Sequence, residues 1–333
     1  MRRRDFIALL ATAAVARPPT AHSQQPARPR LVAVLIGIAE DETSQALVGD
    51  FRSALANMGW KEGANLRIEL RWGSGDVGRI GIAARELVAL QPDAILAQST
   101  PAATALARET QAIPIVFVNV SDPIGSGLAT NLAHPGGNVT GFTFVESSMG
   151  GKWVELLKAI APRTERLALL FNPDTAPSLK FYLPAIEEAA SSFSIKISTA
   201  PVHASNEIEG VIAALARTPG GGLIVMPDIF TAANRELIIA LAAHNGVPAL
   251  YGINFAKSAF AKSGGLIAYG PDFAETFRQA AVYVDRILKG AKAGELPIQL
   301  PTKFGLAINL KAAASLSLTI PPYILSIADE IVE

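Results

Sequence analysis

From Leu31 onward, short apolar runs rich in Val, Ile and Leu alternate with stretches patterned for helices, and the alternation runs through the chain twice. A strand followed by a helix and then another strand is a βαβ unit. A succession of such units builds a parallel sheet with helices on its faces. In the first pass, strands are predicted at Leu31–Ile38, Leu66–Trp72, Ala94–Ala97 and Ile115–Val120, with helices at Thr43–Met58, Val77–Leu90 and Pro101–Thr110. In the second pass, strands are predicted at Leu167–Phe171, Ile195–Thr199, Leu223–Met226 and Pro248–Tyr251, with helices at Ser178–Ser192, Asn206–Ala216 and Ala232–His244. The passes correspond in detail: Ile113-Pro114-Ile115-Val116-Phe117 mirrors Val247-Pro248-Ala249-Leu250-Tyr251. The expected fold is α/β: two doubly wound lobes of parallel sheet flanked by helices.

The join between the passes reads Gly136-Gly137-Asn138, a turn, followed by Val139 to Phe144 as a short strand that crosses between the lobes. After Tyr251 come a strand at Gly265–Tyr269, a helix at Asp272–Lys289, a Pro-bounded run from Pro297 to Pro301 and a strand at Phe304–Leu310. Three crossings of this kind make a hinge. The expected division is 24–142 plus 253–298 for the first lobe and 143–252 plus 299–333 for the second.

Residues 1–23 read as a secretory signal peptide. Arg2-Arg3-Arg4 forms a basic head, Ile7 to Ala16 a short apolar middle, and Ala21-His22-Ser23 a small-residue exit with cleavage before Gln24. Ten apolar residues are too few to span a bilayer, which takes about 20. Arg3-Arg4-Asp5-Phe6 also resembles a twin-arginine signal; an ordinary Sec signal with an extra arginine is the alternative. The chain carries 29 basic and 29 acidic residues, and removing residues 1–23 takes away four Arg and one Asp, leaving a net charge of −3. That balance gives no basic footprint for nucleic acid. The sequence has no Cys, which excludes disulfides, thiolate metal sites, thiol catalysis and a lipidated N-terminal Cys. The expectation is a diffusible periplasmic protein.

In open parallel sheets, ligands bind beyond the carboxyl ends of the strands. Residues just after each predicted strand are therefore the cleft candidates. They include Glu40, then Gln98, Ser99 and Thr100, then Asn119, Ser121 and Asp122, with Pro227, Asp228 and Gly252 to Asn254 from the second pass. Thr100 fits a helix N-cap and Pro101 the first helical position, which leaves the N–H groups of Ala102 and Ala103 free to meet a ligand carboxylate. Asp122 and Asp228 follow equivalent strands in opposite lobes and suit an ammonium group; each is also placed to cap a turn, Asp228 toward Thr231. Phe142, Phe144, Phe230 and Tyr251 lie near the cleft, where they stack on a ligand or belong to the core.

Gly73-Ser74-Gly75-Asp76-Val77-Gly78 fits G-x-G-x-x-G between a strand and a helix. A dinucleotide site also needs an acidic residue at the end of the next strand, and Asp93 begins its strand instead. No cofactor is expected. Four scattered His residues, and no G-x-S-x-G or H-E-x-x-H, give no metal or catalytic set.

Ser99-Thr100-Pro101-Ala102-Ala103, Ser121-Asp122-Pro123-Ile124-Gly125 and the run His134 to Gly141 resemble the ABC transporter substrate-binding proteins of the tryptophan/tyrosine type. Tyr269-Gly270-Pro271-Asp272, Ala281–Gly290 and Leu318-Thr319-Ile320-Pro321 match that family's C-terminal pattern in order. The resemblance implies a periplasmic-binding-protein type I fold and a monomer that closes on a small ligand, an amino acid or similar carboxylate, and delivers it to an ABC permease in the inner membrane. From their places at the strand ends, helix starts and cleft edge, the site residues expected are Glu40, Ser99, Thr100, Ala102, Ala103, Asp122, Phe142, Asp228, Thr231 and Asn254. Two readings from other classes stay open: an exported α/β hydrolase using Asp122 or Asp228, and a ligand-sensing subunit of a signalling receptor.

Overall fold

A computed structural model describes residues 28–176, 178–253 and 259–333. Five strands form the first sheet: β1 (Arg30–Ile36), β2 (Leu66–Trp72), β3 (Ala94–Gln98), β4 (Ile115–Val120) and β5 (Val139–Thr143). They are parallel, in the order β2-β1-β3-β4-β5. Helices α1 (Glu42–Asn57), α2 (Val77–Ala89) and α3 (Thr100–Glu109) make the crossovers. Strands β3 and β4 are buried along their whole length, because helices cover both faces of a parallel sheet, and their sequences are accordingly apolar runs without alternation.

The second sheet repeats the plan. Its strands are β6 (Arg166–Phe171), β7 (Lys196–Pro201), β8 (Gly221–Val225), β9 (Ala249–Tyr251), β10 (Ile267–Pro271), β11 (Phe304–Asn309) and β12 (Glu330–Val332). Read from one edge the order is β7-β6-β8-β9-β10-β11-β12, so its first five strands have the first sheet's winding. Among the described residues β10–β11 is the one antiparallel pairing, and β12 runs parallel to β11, so the last two strands run opposite to the first five. Helices α4 (Met149–Ile160), α5 (Leu179–Ser192), α6 (Ser205–Ala216), α7 (Ile229–Ala233) and α8 (Arg235–His244) flank it, with α9 (Ala259–Lys262) before β10. Helix α10 (Phe273–Leu288) follows β10, and the short α11 (Leu310–Ser315) and α12 (Pro322–Ser326) lie between β11 and β12.

Two expectations about the join are corrected. Val139–Thr143 does not cross between the lobes. It is the edge strand of the first sheet, held in parallel register to β4, and the crossing comes after it. Residues 253–271 were expected with the first lobe, yet β10 pairs with β9 and β11 in the second sheet. Only from α10 does the chain return, packing that helix on α1 and β4. The chain thus passes between the sheets three times, after Thr143, at Asp272 and after Gln299. Gln299 is tied to the first sheet's edge, donating its N–H to Gly141 O at 2.9 Å and accepting from Thr143 N at 2.9 Å. Asp272 caps α10, as its place after Pro271 predicts, and pairs with Lys303 Nζ at 2.9 Å beside the third crossing. The signal peptide and its cleavage site lie outside the described residues. Among the described residues, no helix is long and apolar enough to cross a membrane.

Candidate functional site

The carboxyl ends of both sheets face one another across a narrow cleft. Its walls come from the strand ends in turn. Gln98 ends β3, with Ser99, Thr100 and Pro101 after it; Asn119 is the next-to-last residue of β4, with Ser121 just past the strand; and Phe144 follows β5. From the other side, Thr175 and Ser178 follow β6, Pro227, Asp228 and Ile229 follow β8, Ile253 follows β9, and Phe273 follows β10. Ile38 closes the wall beyond β1. Polar groups thus sit opposite an apolar end where Phe144 meets Phe273 edge to face, ring centroids 6.3 Å apart.

On the first lobe, the N-terminus of α3 points into the cleft. Ser99 is the N-cap in place of Thr100, and its backbone is left-handed at φ +90°. Its Oγ reaches Ala102 N at 3.4 Å, while its carbonyl accepts from Ala103 N at 3.0 Å. Both amides expected to be free are therefore already used, and Ala102 and Ala103 are fully buried, because the cap sits one residue earlier than expected. Thr100 keeps its cleft position: its Oγ1 accepts from Ser121 N at 3.1 Å and lies 3.1 Å from Ser121 Oγ. What this wall offers a ligand is hydroxyls at the positive end of a helix dipole.

On the second lobe, Asp228 is buried at 7% exposure. Its carboxylate accepts from Thr231 N at 2.8 Å, Asn172 N at 3.2 Å and Thr175 Oγ1 at 3.2 Å. Burial pushes its pKa up to about 6, and these hydrogen bonds only partly offset it. Asp228 is therefore both the cap of α7 and a carboxylate facing the cleft.

The other expected contacts are placed elsewhere. Asp122 caps its own loop through Gly125 N at 2.7 Å and pairs with Lys180 Nζ of the other lobe at 3.1 Å. Thr231 is fully buried and donates its hydroxyl to Met226 O at 2.9 Å, a bond within the helix start. Phe142 is core, 4.7 Å from the Tyr283 ring, because it lies inside β5 under α10. Tyr251 stacks on Phe260 at 4.8 Å and Phe230 packs partly buried against the core, so of the four aromatic candidates Phe144 alone lines the cleft. Glu40 is exposed and accepts from Gln45 Nε2 at 3.0 Å, on the loop outside the cleft wall. Asn254 lies outside the described residues.

Thr175, Ser178, Ile229 and Phe273 were not among the expected contacts. The first two stand on the loop after β6, several residues past the strand end, and Phe273 opens the helix that returns to the first lobe. The glycine motif at Gly73–Gly78 has a packing role. A Cβ on Gly73 would lie 2.3 Å from Ile80, and one on Gly75 would lie 3.1 Å from Ala233 of the facing lobe. Asp93 pairs with Arg30 at 2.7 Å at the opposite end of the sheet.

The model of a family described as ABC transporter substrate binding protein matches residues 31–332. A tyrosine-binding protein of Clostridioides difficile (strain R20291) is 27% identical over 267 residues, which cover 78% of this chain and 73% of that protein. A conserved domain protein of Vibrio cholerae is 29% identical, with a TM-score of 0.82 over 91% of this chain and 100% of that one. An ABC domain from Streptococcus pneumonia, solved in complex with L-Trp, has the same TM-score of 0.82 at 24% identity, over 91% of this chain and 100% of that one.

Proposed function

The chain belongs to the ABC transporter substrate binding protein family, and from that premise we propose that it is an exported receptor for an aromatic amino acid, which it passes to an ABC permease. The observation that carries this reading is the make-up of the cleft. A helix N-terminus with the Thr100 and Ser121 hydroxyls stands on one lobe, the Asp228 carboxylate on the other, and the Phe144–Phe273 pair lies beside them. A carboxylate is stabilised at the helix N-terminus, an ammonium group by Asp228, and an aromatic ring by the two phenylalanines. The relative named for tyrosine supports the same class. Ser99, Thr100 and Asp228 are the contacts proposed.

Binding from both lobes favours the closed form, so the protein acts by hinge closure about its three crossings and presents the closed form to the permease. Transport by binding needs no bond-breaking group, and the cleft's polar residues are assigned here to holding a ligand. The N-terminal signal delivers the chain to the periplasm, where it works as a monomer.

Calorimetry on protein unfolded and refolded to strip carried-over ligand tests the proposal. L-tyrosine, L-tryptophan, L-leucine and galactose are titrated separately. Binding of the two aromatic amino acids at low micromolar concentration or tighter is the expected result. Binding of galactose alone, or of none of the four, overturns it.

A further inference from the structure

Among the described residues, Asn119 carries the only fully buried side-chain polar atoms of this cleft that lack a hydrogen-bond partner. It is 4% exposed, and neither its amide nitrogen nor its amide oxygen has a hydrogen-bond partner. Among the described residues, the other buried side-chain polar atoms without a partner belong to Tyr182 and Arg235, and neither residue lines this cleft. The neighbours of Asn119 are committed: Gln98 Oε1 accepts from Gly37 N at 2.9 Å, Thr100 is bonded to Ser121, and Thr175 is bonded to Asp228. An unpaired buried amide is costly and needs a reason.

The backbone adds a second cost at the same residue. Asn119 sits at φ +56° where the register of β4 on β5 shifts between Val118 and Val120. The bulge lifts Asn119 out of the ladder at the carboxyl end of the strand. Asparagine is among the few side chains that tolerate left-handed backbone. Strain and an unsatisfied polar group at one residue of a cleft mark a functional position.

Resting on the reading of the cleft as an amino-acid site, we infer that Asn119 reads the α-amino-acid head group. Its amide presents a donor and an acceptor side by side. A zwitterionic head group presents the complement: a carboxylate to accept from Nδ2 and an ammonium to donate to Oδ1. The α3 N-terminus lies on its own lobe and Asp228 on the facing one, and all three line the same cleft as the sites proposed for the two charges. A ligand with only one of the two groups satisfies half of the amide and leaves the other half bare. Asn119 is therefore a specificity-determining residue for the complete head group.

Three probes and two variants test it. The probes are L-tyrosine, tyramine, which lacks the carboxylate, and 3-(4-hydroxyphenyl)propanoate, which lacks the ammonium. Asn119→Gly removes the side chain while accepting the left-handed backbone, and Asn119→Ser keeps a small hydroxyl. Wild-type protein is expected to bind L-tyrosine at least tenfold tighter than either analogue. Asn119→Gly is expected to lose tenfold or more for L-tyrosine, the loss typical of a hydrogen bond to a charged group. It should lose much less for each analogue, and its unliganded melting temperature should not fall. Asn119→Ser should lie between the two. Undiminished binding of L-tyrosine by Asn119→Gly, or a lowered melting temperature with unchanged affinity, overturns the assignment alone. Wild-type protein that binds no amino acid overturns the ligand class, and this assignment with it.

Discussion

Arg235 Nη1 lies 2.7 Å from Asp41 Oδ2, and the two residues belong to opposite lobes. Arg235 opens α8 of the second lobe, while Asp41 caps α1 of the first. Burial works against the charge of Asp41. The Ser44 N–H and the Arg235 guanidinium outweigh that effect and hold its carboxyl below the usual range. With the pair of Lys180 and Asp122 at 3.1 Å, it forms two clasps between the lobes. Both exist only when the lobes are together, so they contribute to closure and not to the fold of either lobe.

Replacing Arg235 with Met should therefore weaken L-tyrosine binding several-fold while leaving the melting temperature of the unliganded protein nearly unchanged. Partly exposed ion pairs contribute up to about 1 kcal/mol, which sets the scale of the loss. Small-angle scattering with and without ligand checks it: the variant's unliganded profile should be the more extended one. An equally compact profile with undiminished affinity rules out the clasp.

Asp228 gives the protein a pH signature. Its native pKa of about 6 lies above the ordinary 3.8, so between those values the native state holds a proton that the unfolded chain has released. Its contribution to stability is complete below about pH 3.8 and is lost as the pH rises through about 6. Melting temperatures across pH 4 to 7 should show this decline as the difference between wild type and Asp228→Asn, the variant lacking it.

The same titration acts oppositely on the ligand. An ammonium group pairs with the ionised form of Asp228, so affinity for L-tyrosine should rise with pH through about 6. At pH 5 it should be roughly tenfold weaker than at pH 7, where the carboxylate is ionised. Calorimetry at the two pH values decides it; an affinity that is flat or tighter at pH 5 removes Asp228 from the ammonium site.

Gly37 and Gly49 should respond oppositely to alanine. A Cβ on Gly37 would stand 2.3 Å from Ser99 Oγ and 3.0 Å from Gln98 O, whereas one on Gly49, on α1, would meet nothing within 4 Å. Gly37→Ala should cost about 1–3 kcal/mol through overpacking and, by displacing Ser99, lower ligand affinity as well. Gly49→Ala should stabilise by about 0.5–1 kcal/mol through helix propensity. Denaturant melts of both variants check the sign.

Gly141 has less freedom still. It is at φ +150°, and a Cβ there would fall 2.0 Å from Phe117 O in the adjacent strand. Gly141→Ala should cost about 3 kcal/mol or more, since backbone and not a flexible side chain must move. Loss of soluble expression, or a melting temperature lowered by many degrees, is the expected readout.

Most of the order of strands and helices was legible because each element is encoded locally; the helix at Met149–Ile160 and the short strand at Glu330–Val332 were not predicted. Apolar runs bounded by turns give the strands, amphipathic stretches give the helices, and parallel winding then puts every carboxyl end on one side. That alone located the cleft and singled out Ser99, Thr100 and Asp228. Which strand-end side chains face the cleft was decided by partners distant in sequence. Asp122 and Asp228 look equivalent in the chain, but Lys180 of the opposite lobe claims the first, and no cation comparable to it claims the second among the described residues. Phe142 and Phe144 are two positions apart, the spacing of one strand face, yet Tyr283 covers the first while the second lies past the strand end. Asn119 is set apart by a bulge against β5, a pairing made only on folding. Local propensity fixes where an element begins and ends, and the choice among its side chains belongs to contacts between segments that meet only in three dimensions.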